Sequence, residues 1–366
     1  MTPSQRIAVA MSGGVDSSTV AAWLSAQGWE VIGLSMHLWD HGQTLGPASR
    51  ACCAVTDLHD ARQVADRLNI PFYALDMEAD FHREVVQPFL QDYARGLTPS
   101  PCIHCNGALK FRLLLEKARQ LGAVALATGH YARLEHPPGQ EPQLSRAVDP
   151  RKDQSYFLFS LPRESLPELR FPLGEIPKEE TRRLAEQWGL HVAHKRESQD
   201  LCFIPEGGVD DFLARHAPQS LQPGEMVDET GRVLGRHRGL GCYTVGQRHG
   251  LGLSGGGPPL HVLRLDPRRN QVVVGPAEAL MRPFVDLERV NWLTARPPGP
   301  GEPLLARIRS TAPLVPAALA PLPGGGWRLR FAQPQRAPAP GQGCALYREN
   351  RLLGGGWITI PLEDES

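Results

Sequence analysis

The sequence predicts an α/β protein: a parallel sheet with crossover helices up to about residue 205, then small antiparallel β modules. Three observations carry this. Short apolar runs alternate with amphipathic stretches through the first half, as strands and covering helices do. A glycine-rich loop follows directly on the first apolar run. After about Pro205, Gly and Pro become frequent between short strand-like runs, which is the texture of small β modules.

The elements follow in order. Arg6 to Met11 (RIAVAM) reads as a buried strand, Asp16 to Gln27 as a helix, and Glu30 to Met36 as the next strand. Between Thr56 and Asn69, Leu58, Ala61, Ala65 and Leu68 fall on one helical face. Pro71 to Asp76 gives a third strand. Asn106 to Leu121 is a helix ended by Gly122, and Ala123 to Thr128 returns as a strand. Ile176 to Gly189 makes a late helix with Pro177 in its first turn, where a missing N–H does no harm. Beyond it, Gln271 to Val274 and Trp327 to Phe331 are strand runs, while 297–303 and 332–343 read as loops between strands. The changes of texture place units at 1–205, 206–280 and 281–366.

The 366 residues suffice for two or three domains with a large core. Hydrophobic content of 41% and charged content of 21% exclude wholesale disorder. No apolar run is long enough to span a bilayer, and the start lacks the segment a signal peptide needs, so a cytoplasmic protein is expected. Seven cysteines in such a setting do not read as a disulfide framework. Net charge is zero, yet from Met281 to Ile360 ten Arg stand against four acids with no Lys. A basic tail of this kind suits contact with phosphates. The overall excess of Arg over Lys, 34 to 5, reads as codon bias and does not explain that concentration.

Two features carry chemistry. The loop Ser12-Gly13-Gly14-Val15-Asp16-Ser17-Ser18 lies between a predicted strand and a predicted helix. Glycines allow a tight turn that aims successive N–H groups at one anion, and the helix start adds its positive dipole end. There is no Lys after a second Gly, so it is not a Walker A loop. SGGxDSS resembles the PP-loop of the ATP pyrophosphatases, in which Asp16 would help hold Mg²⁺; the plain alternative is a helix N-terminal acid. Second, Cys102 and Cys105 form a C-x-x-C pair directly before the predicted Asn106 helix, where a thiolate is favoured. Such a pair ligates metal or cycles as a disulfide. Cys202 reads as a further candidate or as a buried small hydrophobe. Cys52, Cys53, Cys242 and Cys344 read mainly as structural. His104 is a zinc-ligand candidate or polar surface.

Taken together, SGGVDSS, TPSPCIHCN at 98–106, ATGHYAR at 127–133, RKDQSYFL at 151–158, PLGEIPKEETR at 172–182, ESQDLCF at 197–203 and YTVGQRHGLG at 243–252 resemble the tRNA 2-thiouridylase family (MnmA type) of the PP-loop superfamily. The resemblance covers nearly the whole chain. It implies a Rossmann-like PP-loop domain of the adenine-nucleotide alpha hydrolase kind, a small central tRNA-contacting domain and a C-terminal antiparallel β-barrel. It implies ATP-dependent adenylation of the C2 oxygen of the wobble uridine, then displacement of AMP by sulfur. Cys105 matches the family's nucleophile-type cysteine and Cys202 its persulfide carrier. Ala10, Met11, Ser12, Gly13, Gly14, Val15, Asp16, Ser17, Met36 and Gly129 match the ATP site. Ser100, Pro101, Lys152, Asp153, Gln154, Arg309 and Ser310 match tRNA contacts. The tRNAs for Lys, Glu and Gln are the implied substrates, with sulfur from an upstream donor protein or free sulfide.

Cys102 departs from the family, many of whose members have Asp there. With Cys105 and Cys202 it makes three thiols, the number that holds a [4Fe-4S] cluster with one iron open; a zinc site is the simpler alternative. Two other functions share part of this pattern. A GMP-synthetase-type PP-loop ligase shares SGGVDSS but needs neither the C-x-x-C nor RKDQSYF. A nucleotide-binding RNA module without catalysis gains nothing from a thiol beside a pyrophosphate loop.

Overall fold

A computed structural model describes residues 5–38, 55–196, 201–204, 208–253 and 258–359. Cys52, Cys53 and residues 197–200 of the ESQDLCF motif lie outside these. Strand β1 (Arg6–Ala10) is central to a five-stranded, wholly parallel sheet. On one side of it come β2 (Glu30–His37) and β3 (Phe72–Asp76), and on the other β4 (Ala125–Thr128), then β7 (Leu169–Arg170). Ile7, Ala8 and Val9 are fully buried because both faces of the sheet are covered. The pleat divides them by period two. Ile7 and Val9 pack with residues of α1 (Val15–Ala26) and α2 (Val55–Leu68), whereas Ala8 packs with Phe111, Leu114 and Ala118 on the other face.

The predicted α/β class and the N-terminal elements hold, with shifted ends. The helix expected from Asn106 begins at Pro101, whose missing N–H suits a first helical position. It runs to Gln120 and is π-helical from Cys105 to Leu114. The late helix is Lys178–Gln187, with Pro177 just ahead of it. The loop expected over 332–343 starts later, because strand Trp327–Arg336 runs five residues beyond Phe331.

Six antiparallel strands close into a barrel: Met281–Trp292, Trp327–Arg336, Val315–Pro321, Pro303–Arg307, Gly343–Arg348 and Arg351–Thr359, with the last pairing back to the first. In sequence between the parallel-sheet domain and the barrel comes a four-stranded mixed sheet built from residues 224–275. The hairpin of β5 (Ala132–Glu135) and β6 (Gln143–Arg146) leaves the parallel sheet and extends the barrel sheet through Ser145 and Arg351.

The segment after that hairpin locks the two domains together. Asp153, its carboxylate wholly buried, accepts from Arg146 at 3.2 Å and from Arg307 of the barrel at 2.9 Å. Its Oδ1 also takes the backbone N–H groups of Ala147 and Ser155, each at 3.2 Å. Tyr156 donates to the Gly343 carbonyl at 2.9 Å, and Ser155 meets the Tyr347 hydroxyl at 3.0 Å. Asn291 donates to the carbonyls of Phe159 and Leu161 at 2.7 and 2.8 Å. Phe159 packs so tightly on the barrel wall that a Cβ at Gly355 would lie 2.6 Å from its ring.

The Asp153 carboxylate, expected among the tRNA contacts, is thus committed to bonds within the protein. Removing it would strand the buried Arg307 and the half-buried Arg146. Asp153→Ala is expected to lower stability by about 3–5 kcal/mol, read as a reduced midpoint of urea unfolding; an unchanged midpoint would contradict the interlock.

Candidate active site

In a doubly wound sheet, ligands sit beyond the strand carboxyl ends where strand order reverses. Here that point lies between β1 and β4, and a cleft of about 260 Å³ opens there. From β1 and its loop come Ala10, Met11, Ser12, Asp16 and Ser17; from β2, Leu34, Ser35, Met36 and His37. From β4 come Thr128 and Gly129, followed by His130. Cys105, Lys110, Gln154 and Cys202 also line it.

The loop turns at Gly13, whose φ is +72°. A Cβ there would fall 2.0 Å from the Asp57 carbonyl oxygen, so α2 presses on the turn and only glycine fits. Gly14 caps α1, and its carbonyl accepts from the Ser18 N–H at 3.3 Å. Val15, the first helical residue, is buried. Ser12 N–H donates to Ser17 Oγ at 3.1 Å, which holds the two hydroxyl-bearing residues together. Lys195 staples the turn from outside, with Nζ 3.0 Å from the Gly13 carbonyl and 2.5 Å from Asp57, and a further bond to Asp60. Burial works against its charge, but the bonds to Asp57 and Asp60 outweigh that and raise its pKa.

Asp16 does not face the cleft as an isolated acid. Its Oδ1 takes both the Lys178 ammonium, at 2.6 Å, and the Tyr131 hydroxyl, at 2.8 Å. Gly129 lies against it, and a Cβ there would come within 2.9 Å of both Asp16 Cβ and the Ser17 nitrogen. His130 is bonded to Thr128 at 2.7 Å, and burial together with Lys110 holds its pKa well below the usual value. It is therefore a neutral imidazole at the cleft wall.

Cys105 is buried and Cys202 half-buried, and both line the cleft. Cys102 is exposed and does not line it. Because the helix starts at Pro101, Cys102 occupies its first turn and Cys105 sits at the head of the π-helical stretch, one turn further in than expected. Residues of this kind of helix recur at functional sites because the extra residue re-aims side chains. Three thiols gathered on one ion are not observed: among the described residues the one His/Cys/Asp/Glu trio with all ligand atoms within 4.8 Å is His37, Asp76 and Glu78. The described cysteines thus present two thiols, Cys105 and Cys202, to the cleft, while Cys102 is exposed.

His104 is not placed as a zinc ligand. Its ring stacks on Trp357 of the barrel at 4.4 Å, and burial, helped by Arg289, lowers its pKa to about 4. Burial pushes the Cys344 thiol far up, and burial with Asp210 nearby raises Cys242 to about 11, which agrees with inert roles. Ser100 and Pro101 open the Cys105 helix. Gln154 accepts the Tyr131 N–H at 3.0 Å inside the cleft, and Lys152 is half-exposed beside it. Arg309 and Ser310 are exposed on the barrel loop after Pro303–Arg307. Sequence reasoning missed Lys110, His130, Lys178 and Lys195. Only Lys178 left a trace: a cation at the first turn of a helix opposes the dipole and calls for a reason.

A pyrophosphate-gripping turn at a strand switch point, with two thiols facing it, defines an adenine-nucleotide enzyme of the PP-loop class bearing two appended β modules. Profiles described as tRNA methyl transferase HUP domain, tRNA methyl transferase PRC-barrel domain and Aminomethyltransferase beta-barrel domain match residues 5–206, 210–276 and 284–358. Proteins named tRNA-specific 2-thiouridylase MnmA are similar over almost the full length. That of Magnetococcus marinus is 55% identical, covering 98% of this chain and 100% of that one. Those of Rhodospirillum centenum (49%; 96% and 91%) and Paracoccus denitrificans (50%; 98% and 92%) follow. The chain belongs to the tRNA-specific 2-thiouridylase family. The profile names speak of methyl transfer, but a methyl donor needs no pyrophosphate loop, whereas activation by ATP does.

Gly129→Ala is expected to cost nucleotide binding about 1–3 kcal/mol through overpacking, or about 5- to 150-fold in ATP affinity. Titration calorimetry would measure it. An affinity equal to the parent's would mean that nucleotide does not occupy this wall.

Proposed function

We infer that the protein is a tRNA-uridine 2-sulfurtransferase: it spends ATP to replace the C2 oxygen of a tRNA uridine with sulfur. The observation that carries this is the single cleft lined by both the SGGVDSS turn and the two thiols of Cys105 and Cys202. We take the wobble uridine of the Lys, Glu and Gln tRNAs as substrate, on the family's pattern, and the cytoplasm as the setting. No helix among the described residues is long and apolar enough to cross a membrane. The units 1–205, 206–280 and 281–366 serve as catalytic domain, central tRNA-contacting domain and tRNA-contacting barrel.

The chemistry runs in two displacements. The uridine O2 attacks the α-phosphorus of ATP and pyrophosphate leaves, held by the N–H groups of the turn and the α1 dipole. Asp16 is the cleft carboxylate suited to hold Mg²⁺, which when bound offsets phosphate charge. O2 is now part of a good leaving group. The terminal sulfur of a persulfide on Cys202 adds at C2, and AMP departs with the oxygen. Cys105 thiolate then attacks the Cys202 sulfur, which breaks the S–S bond to the base. This leaves the thiocarbonyl on C2 and a Cys105–Cys202 disulfide, which a cellular thiol reductant returns to two thiols. The persulfide is replenished by an upstream persulfide-donor protein; free sulfide, the alternative reagent, would displace AMP at C2 directly, forming neither a persulfide nor a disulfide. The base must be unstacked to enter, since O2 cannot be reached inside an anticodon stack.

Cys105→Ser and Cys202→Ser are each expected to abolish thiolation of an unmodified tRNA(Glu) transcript, read on a mercury gel, while tRNA-dependent pyrophosphate release persists. Loss of pyrophosphate release would assign the thiols to adenylation instead. Metal-free enzyme supplied with a persulfide donor is expected to be active. Activity only after anaerobic iron–sulfur reconstitution would instead make Cys102, Cys105 and Cys202 ligands of a [4Fe-4S] cluster.

Exposed Arg309 belongs to the basic tail that would meet tRNA phosphates. Arg309→Ala is expected to weaken tRNA binding and to lower the slope of log affinity against log salt by about 1, with ATP binding unchanged. Equal loss of both would contradict the assignment.

A further inference from the structure

Lys178 is the most anomalous cation in the domain. Its side chain is only 7% exposed, and lysine is rarely buried unless paired. It also stands at the first residue of helix Lys178–Gln187, at the positive end of the dipole. Two unfavourable terms act on it, and its ion pair with Asp16 Oδ1 at 2.6 Å offsets them.

The surroundings are built to hold that pair. Tyr131, 1% exposed, donates to the same Oδ1 and meets Thr181 Oγ1 at 2.9 Å on its other side. Thr181 lies three residues after Lys178 on the same helix face. Lys178 Nζ also sits over the Tyr131 ring, 5.4 Å from its centroid. Asp16 occupies the first turn of α1, at the positive end of that helix's dipole. What Lys178 and Tyr131 add is geometry: both bonds go to Oδ1 of a residue that lines the nucleotide cleft, leaving Oδ2 as its open oxygen.

We propose that Lys178 is a positioning residue that, with Tyr131, clamps one carboxylate oxygen of Asp16 so that the other serves as a fixed ligand for the divalent cation accompanying ATP. The proposal rests on reading the cleft as an ATP and Mg²⁺ site. Outer-shell groups of this sort, when removed, lower metal affinity by about 10–100-fold.

The test uses full-length protein with a non-hydrolysable ATP analogue. Mn²⁺ binding is followed by electron paramagnetic resonance, and analogue affinity in EDTA by calorimetry. Lys178→Met is expected to weaken nucleotide-dependent Mn²⁺ binding about 10–100-fold while metal-free nucleotide affinity holds. Lys178→Arg restores part of the loss, and Tyr131→Phe shows a smaller loss in the same direction. If Lys178→Met does not fold, the arginine and Tyr131→Phe variants carry the comparison. Unchanged Mn²⁺ affinity would overturn the proposal. An equal fall in EDTA would also overturn it, since Lys178 would then touch phosphate or merely hold the loop. Parent enzyme that binds the analogue in EDTA yet never binds Mn²⁺ with it would remove the metal reading and the proposal together, whereas parent enzyme that binds no nucleotide would overturn the ATP site itself.

Discussion

The site depends on how closely backbone can approach backbone at the end of β1. The turn at Gly13 leans on the carbonyl of Asp57, and the wall at Gly129 leans on Asp16 and Ser17. Neither position has room for a Cβ. These two approaches draw α2 and β4 against the phosphate turn, and the cleft is what remains between them. Lys195 then ties the turn to α2 from the solvent side. A loop held this way presents its N–H groups without reorganisation, which is where electrostatic stabilisation of a leaving pyrophosphate is worth most.

A second constraint is that the barrel does not hang from a linker. The segment from Asp153 to Leu161 makes its bonds into barrel strands, and the β5–β6 hairpin extends the barrel sheet. The His104–Trp357 stack adds a contact from the helix that carries Cys105. The thiols and the basic barrel surface are therefore referenced to one another through buried contacts. On the proposed reading, that suits an enzyme that must grip a tRNA body at a distance while one base reaches C2 to within bonding range of a sulfur.

The parallel sheet was legible in the sequence because its signals are local. Arg6–Met11 is apolar throughout, Leu58, Ala61, Ala65 and Leu68 repeat at helical spacing, and the glycine turn follows its strand at once. The cleft was half legible for the same reason. Ser12, Asp16 and Ser17 are contiguous, but Lys178 reaches Asp16 across 162 residues and Tyr131 across 115. Asp153 illustrates the limit. KDQ looks like polar surface, and nothing within the segment announces that Arg307 will bury its carboxylate. The helix that carries Cys105 begins not at the expected Asn106 but at Pro101, where proline at a first helical position is favourable.

Burial sorts the described cysteines by what water and partners can reach them. Cys344 is sealed in the barrel core and Cys242 sits beside Asp210, so both are held as thiols at neutral pH and cannot act as nucleophiles. Cys105 and Cys202 instead open onto the cleft that the phosphate turn faces. A chemistry that first makes AMP a leaving group and then displaces it needs its nucleophile within the same enclosure. Otherwise water would reach the activated base before sulfur did. Lys110 and the neutral His130 line that enclosure, and Lys110 contributes positive potential there. The proposed order, adenylation and then sulfur transfer at one carbon, thus suits a cleft lined by both the phosphate turn and the thiols.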